Sequence, residues 1–169
     1  MTQAVTYEDA VYLLDADHKA VKKLFMDFNA LCEDGAPASQ KQQLAEKICR
    51  ELTVHAQIEE EIFYPRVREA IGDELLMDEA LQEHAEAKEK IAQIQGMGAG
   101  DKTYDETVNE LGKLIDGHVL EEREEIFLRA RNAALDLRGM ALELFARKQQ
   151  LQGAAKPSAP ARKKEKVAA

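Results

Sequence analysis

The chain has 169 residues, 45% of them hydrophobic and 33% charged, with a formal net charge of -9, which is enough for one domain with a packed core and too acidic overall to favour nucleic acid, whose phosphates need a basic face. No window approaches the roughly 20 apolar residues of a membrane span, and the opening MTQAVTYEDA has neither the basic n-region nor the apolar run of a secretory signal. A chain free of membrane contact in the cytoplasm is therefore expected, and with only 9 glycines and 4 prolines its class should be all-α.

The first helix is expected over 7–33, where Val11, Leu14, His18, Val21, Phe25 and Phe28 recur at three-and-four spacing. Cys32 near its end and Cys49 further on are too few for a disulfide framework and fit a reducing compartment as packing residues. EDGAPAS, 33–39, joins Gly to Pro and ends in Ser39, a good N-cap. The second helix, 39–71, repeats the stripe through Leu44, Ile48, Leu52, His55, Glu59 and Ile62. Gly72-Asp73 breaks it, a third helix follows over 74–95, GMGAGDKT forms a turn at 96–103, and a fourth helix runs over 103–131. A short additional helix is expected near 133–151. From Ala154 the sequence AAKPSAPARKKEKVAA carries five basic residues against Glu165; residues 152–169 read as a disordered basic Ala/Pro/Lys tail.

Ionisable groups thus sit in the core stripe, where they must be paired or coordinated. Counting from the turn centres at 1.5 Å per residue brings His18 level with His55, His84 level with His118, and Glu59 level with His84. In an up-and-down bundle all of them share one mid-bundle layer. The halves also repeat: His118 and Glu122 copy His55 and Glu59 with an offset of 63 residues, and His84 copies His18 with an offset of 66. Each HxxxE pair places both side chains on one helix face. Such repetition suits a binuclear centre in which each metal takes nitrogen ligands from two helices and carboxylates bridge.

The stretches DADHKAVKKLF, HAQIEEEIFYPRV, EHAEAKEKI and HVLEEREEIF resemble the helix signatures of the hemerythrin-like HHE cation-binding domain family, and LDLRGMALELFARKQQL resembles its trailing segment. The resemblance covers 7–151. It implies an up-and-down four-helix bundle around two non-haem iron ions, with His18, His55, His84 and His118 as terminal ligands and Glu59 and Glu122 as bridging carboxylates; manganese or zinc are further metals such ligands can hold. The oxygen-carrying hemerythrins have five histidines, with HxxxH on the third helix and a carboxylate five residues after the last histidine. Here Lys88 stands four residues after His84, and Glu122 four after His118. The pattern is closer to bacterial HHE proteins linked to nitrosative and oxidative stress, including those that repair iron–sulfur centres, although the N-terminal cysteine-bearing domain usual in that repair group is not expected here. The resemblance implies binding of O₂, NO or peroxide, or storage of labile iron, in a stress or sensing role. A redox enzyme reducing NO or peroxide with an electron donor, or an iron donor with an acceptor partner, are the alternatives; turnover is left open. The ferritin-like Glu-x-x-His motif is absent, since Asp15, Leu52, Leu81 and Ile115 precede the histidines by three residues.

The neighbouring Glu60, Glu61, Glu121, Glu124 and Glu125 read mainly as solvated surface. Tyr12 and Tyr64 read as core or rim packing, with a hydrogen bond to the site as the second option. Phe25, Phe28, Phe63 and Phe127 read as core, and Lys22 and Lys88 as either snorkelling stems or charges at the pocket mouth.

Overall fold

The computed structural model describes residues 7–154, and the amino-terminal six residues and those from 155 on, with most of the basic tail, lie outside it. Helix α1 spans Ala10–Glu33. Helix α2 runs through Ala38–Ile58, Glu59–Phe63 and Tyr64–Ile71, α3 spans Glu74–Gln95, α4 runs through Tyr104–Glu121, Glu122–Ile126 and Phe127–Arg131, and α5 spans Leu137–Ala154. Short connections make successive helices antiparallel. Helix α1 packs against α2 and α4, α3 packs against α2 and α4, and α5 lies across α1 and α2. The expected all-α, up-and-down four-helix bundle with an extra C-terminal helix is what forms.

Helix ends follow local chemistry. Asp9 caps α1 by accepting from the Tyr12 amide at 2.8 Å, so the helix begins at Ala10 rather than residue 7. The chain turns at Gly35 with φ +65°, a left-handed conformation natural to glycine. Helix α2 starts one residue before the expected 39 because the Pro37 carbonyl receives the Gln40 and Lys41 amides, which puts Ser39 inside the first turn instead of at the cap. Gly72, φ +66°, ends α2, and Asp73 then caps α3 through the Leu76 amide. Helix α5 begins at 137 instead of 133 because Asp136 captures the Gly139 amide, and it continues to Ala154, beyond the expected 151.

Two interruptions have no counterpart in the sequence reading. At Glu59–Phe63 and again at Glu122–Ile126 the helix widens to π geometry, closing with the Tyr64 amide on the Glu59 carbonyl and the Phe127 amide on the Glu122 carbonyl. Each π turn starts at the glutamate of an HxxxE pair. On a regular helix a residue five positions on points about 140° away; a turn closed by an i→i+5 bond swings it back onto the same face. Tyr64 and Phe127, buried and 63 positions apart, are the residues turned inward.

The core is split in two. One cluster, including Leu13, Leu14, Ile58, Phe63, Val67, Met77, Ile126, Phe127, Met140 and Leu144, joins α5 to one end of the bundle. The other, including Val21, Phe25, Phe28, Ile48, Leu52, Ile91, Tyr104 and Leu111, fills the opposite end. Both cysteines are free, Cys49 buried and Cys32 half-buried. Each large side chain so buried contributes about 1.5–3 kcal/mol, and the two apolar plugs fix the spacing of the polar layer between them.

Candidate metal centre

That layer holds His18, His55, Glu59, His84, His118 and Glu122, all buried, and both glutamates are fully enclosed. They form two groups whose ligand-capable atoms lie within 4.8 Å of one another: His18, His55, Glu59 and Glu122 in the first, Glu59, His84 and His118 in the second. Glu59 belongs to both, with Oε1 3.3 Å from His55 Nε2 and 3.2 Å from His84 Nε2. Glu122 also faces both ways, with Oε1 3.0 Å from His18 Nε2 and Oε2 3.7 Å from His118 Nε2. Glu59 is thus shared by the two groups, while Glu122 belongs to the first and reaches toward His118 of the second.

The donors fit metal ions better than they fit one another. His18 Nε2 and His55 Nε2 stand 3.1 Å apart, and Glu59 Oε2 is buried without a hydrogen-bond partner, which is costly for a group out of water. Neighbouring ligands on one metal, each about 2.0–2.2 Å from it, are separated by about 3 Å in octahedral and about 3.5 Å in tetrahedral geometry. That is the spacing seen here.

The imidazoles are aimed by acids behind them. His55 Nδ1 pairs with Asp17 at 2.9 Å, His84 Nδ1 with Glu60 at 2.7 Å and His118 Nδ1 with Glu83 at 2.7 Å, while His18 Nδ1 approaches Asp15 at 3.5 Å. A proton held at Nδ1 leaves the Nε2 lone pair facing inward, as in carboxylate–histidine–metal arrangements. The acids are mostly held by cations in turn: Asp15 by Arg123, Asp17 by Lys148 and Glu60 by Lys88.

The hemerythrin HHE cation-binding domain family matches residues 9–130. The chain belongs to that family. It resembles a solved hemerythrin HHE cation-binding domain-containing protein from Mycobacterium kansasii with a TM-score of 0.74 at 20% identity, covering 87% of this chain and 89% of that one; at that identity the likeness speaks for the fold. A DNA nickase from Nostoc sp. is 30% identical over 116 residues, 69% of this chain, and the match spans only 32% of the nickase. Membership, together with the two His/Glu groups, makes this hemerythrin HHE chain a metal-binding protein. Among the described residues no helix is long and apolar enough to cross a membrane.

The hemerythrin HHE layer also contains Tyr64, for which core or rim packing was the leading expectation. Its hydroxyl lies at the centre of the layer, donating to Glu122 Oε2 at 2.5 Å and standing 3.2 Å from His84 Nε2, 3.3 Å from His118 Nε2 and 3.4 Å from Glu59 Oε1. These are ligand-to-ligand spacings, so Tyr64 can complete the second group. The equivalent residue in the other half is Phe127, whose ring stacks on His18 with centroids 5.7 Å apart. The repeat is thus broken at this position, with a phenol on one side and an apolar wall on the other. Tyr12 is exposed and leans on Tyr7, away from the centre.

Among the flanking acids, Glu60 and the more distant Glu83, not singled out in the sequence, support histidines. Glu61 binds Arg147 and Glu124 and Glu125 are exposed. Glu121 lies beside Glu83, and burial with that neighbouring carboxylate raises its pKa. Lys88 holds Glu60 at the rim of the cavity over the histidines, whereas Lys22 turns outward to Asp116. Phe25, Phe28, Phe63 and Phe127 are all core.

Without a metal, the buried acids and imidazoles share protons. Burial pulls His84 down, but its bonds to Glu59 and Glu60 outweigh this and push it up to about 9. His55, despite the same burial penalty, is held well above its usual value by Glu59 and Asp17, and His118 is raised by Glu83 and Glu122. Glu59 stays ionised well below the usual range because adjacent His55 and His84 overcome its burial. A histidine raised by folding stabilises the metal-free bundle fully below its unfolded value of about 6.5, and this contribution is lost as pH rises through about 9. A metal competes for the same lone pairs, so its affinity runs the opposite way. Titration of metal-free protein should show proton release and an apparent affinity that climbs from pH 6.5 to about 9, by about tenfold per pH unit for each proton displaced. A flat profile would contradict the protonated layer.

Proposed function

We propose that this hemerythrin HHE chain is a non-haem di-iron protein that binds O₂, NO or peroxide, or holds labile iron, in a stress-response or sensing role. The observation that carries the reading is a cavity of about 40 Å³ against the histidine layer, walled by Val21, Leu52, Ala56, Ala87, Ile91 and Val119. A single water needs about 10–15 Å³ measured in this way, so the space admits small molecules directly against the histidines. Its apolar walls favour a weakly polar gas.

The donor set supports iron. Four histidines and the two carboxylates Glu59 and Glu122 would hold the two irons, and if both carboxylates were shared each iron would have two nitrogens and two oxygens, with room left for an exogenous ligand. Iron and manganese suit paired sites that share carboxylates in helical bundles; zinc accepts the same donors in fewer positions. When bound, the irons supply redox chemistry and direct ligation of the small molecule. The protein's own residues aim the imidazoles, keep bulk water out and place the Tyr64 hydroxyl beside Glu122. The net charge of -9 supports a small-molecule ligand over a phosphate backbone, so nicking of DNA is not carried over.

Anaerobic ferrous titration with metal analysis, followed by O₂ and then NO while the ultraviolet and visible spectrum is recorded, tests the reading. Two irons per chain and an oxo-bridged ferric spectrum are expected; substoichiometric iron without spectral change would overturn it. The Tyr64 hydroxyl, a potential proton source inside the layer, favours a second reading as a reductase of NO or peroxide. Sustained turnover with a chemical reductant would distinguish catalysis from binding.

A further inference from the structure

We propose that α5, which begins after the family match ends at residue 130, is part of the metal site, with Lys148 acting as a positioning residue for His55. Lys148 Nζ bonds Asp17 Oδ1 at 2.5 Å, and Asp17 Oδ2 pairs with His55 Nδ1 at 2.9 Å. The contact is enclosed, since the Lys148 and Asp17 side chains are 17% and 12% exposed. Exposed ion pairs contribute little, but a carboxylate this enclosed depends on its cation, and the imidazole depends on the carboxylate. The other two cations that hold such acids, Arg123 and Lys88, come from α4 and α3 of the bundle itself.

Helix α5 is docked so that this reach is reproducible. Met140 and Leu144 are buried in the core cluster of one bundle end. Arg66 grips Glu143 through two bonds of 2.7 Å, and Arg147 grips Glu61 at 2.7 and 3.0 Å. Lys148 is therefore presented to Asp17 by a helix whose docking does not run through Asp17 or His55. With Lys148 in place, Asp17 has one oxygen for the lysine and one for His55, so the imidazole keeps Nδ1 protonated and Nε2 inward. Without it, Asp17 is drawn toward water and His55 is free to rotate.

The inference rests on the metal-centre reading, and the test separates the two. Protein loaded anaerobically with Fe²⁺, and in parallel with Co²⁺, is challenged with excess chelator, and the release rate is followed by absorbance. Lys148→Met and Asp17→Ala are each expected to speed release about tenfold or more, within the range for partners behind a metal-bound histidine. The double variant should be no faster than Asp17→Ala, because both changes act along one path, and Lys148→Arg should restore slow release. Arg147→Met removes one grip on α5 while the Arg66–Glu143 pair and the Met140 and Leu144 packing remain, so it should speed release less than Lys148→Met. Unchanged release in Lys148→Met, multiplying effects in the double variant, or an equal effect of Arg147→Met would each overturn the proposal. Wild-type protein that takes up neither metal would overturn the metal-centre reading and this one with it.

Discussion

Glu59→Gln is expected to take both metals down together, to well below one per chain, whereas His55→Ala should empty chiefly the first group. The asymmetry follows from placement. Glu59 Oε1 is shared between His55 and His84, one from each group, so a neutral amide there removes an anionic ligand from both positions. His55 belongs to the first group alone. Gln keeps the size of Glu and protects the packing, so circular dichroism should stay helical while affinity falls by at least ~100-fold, beyond what loss of a supporting partner costs. Glu122→Ala should likewise reduce stoichiometry sharply, and Lys102→Ala, on the exposed turn before α4, should not. Metal analysis after gel filtration decides. Full stoichiometry in Glu59→Gln would mean that the layer's shared carboxylate is not a ligand.

Tyr64→Phe should leave two metals bound yet remove a visible absorption band. A phenol among His84, His118 and Glu122 at ligand-like spacing is expected to bind oxidised iron as phenolate, and phenolate-to-ferric charge transfer colours such centres. Burial, with Glu122 and Glu59 beside it, pushes the Tyr64 pKa well up, so in metal-free protein it stays a phenol and donates a hydrogen bond to Glu122. Removing that charge-assisted bond should cost metal-free protein about 1.5–3 kcal/mol, read from denaturant unfolding. The fold should accept the change because the other half already carries Phe127 at the matching position. An identical spectrum in Tyr64→Phe would restrict Tyr64 to hydrogen bonding.

What the sequence by itself determined is whatever depends on short-range periodicity and turn chemistry. The apolar stripe of α1 with His18 inside it, the HxxxE pairs 63 residues apart, and the breaks at Gly35 and Gly72 are local patterns. Counting along helices of fixed rise then put four histidines and two glutamates at one height, which is where they lie. Helix boundaries shifted by one to four residues where a specific side chain, such as Asp9 or Asp136, took the capping amides.

Tertiary structure alone decided the π turns, the place of Tyr64 and the supports behind each imidazole. EEEIF and EREEI are ordinary helix-forming stretches, and nothing local favours a wider turn. It is adopted where two buried carboxylates and a residue five positions later must share one face. Tyr64 read as packing because regular helical geometry points it away from Glu59, and only the inserted residue turns it in. Glu60 reads as solvated surface, and Glu83 and Asp17 carry no local mark of their role, because their histidine partners are 24, 35 and 38 positions distant. Lys148 lies 131 positions from Asp17. Pairs so far apart leave no periodic trace in one sequence, and they become visible only when the packing of α5 and the bundle brings the charges together.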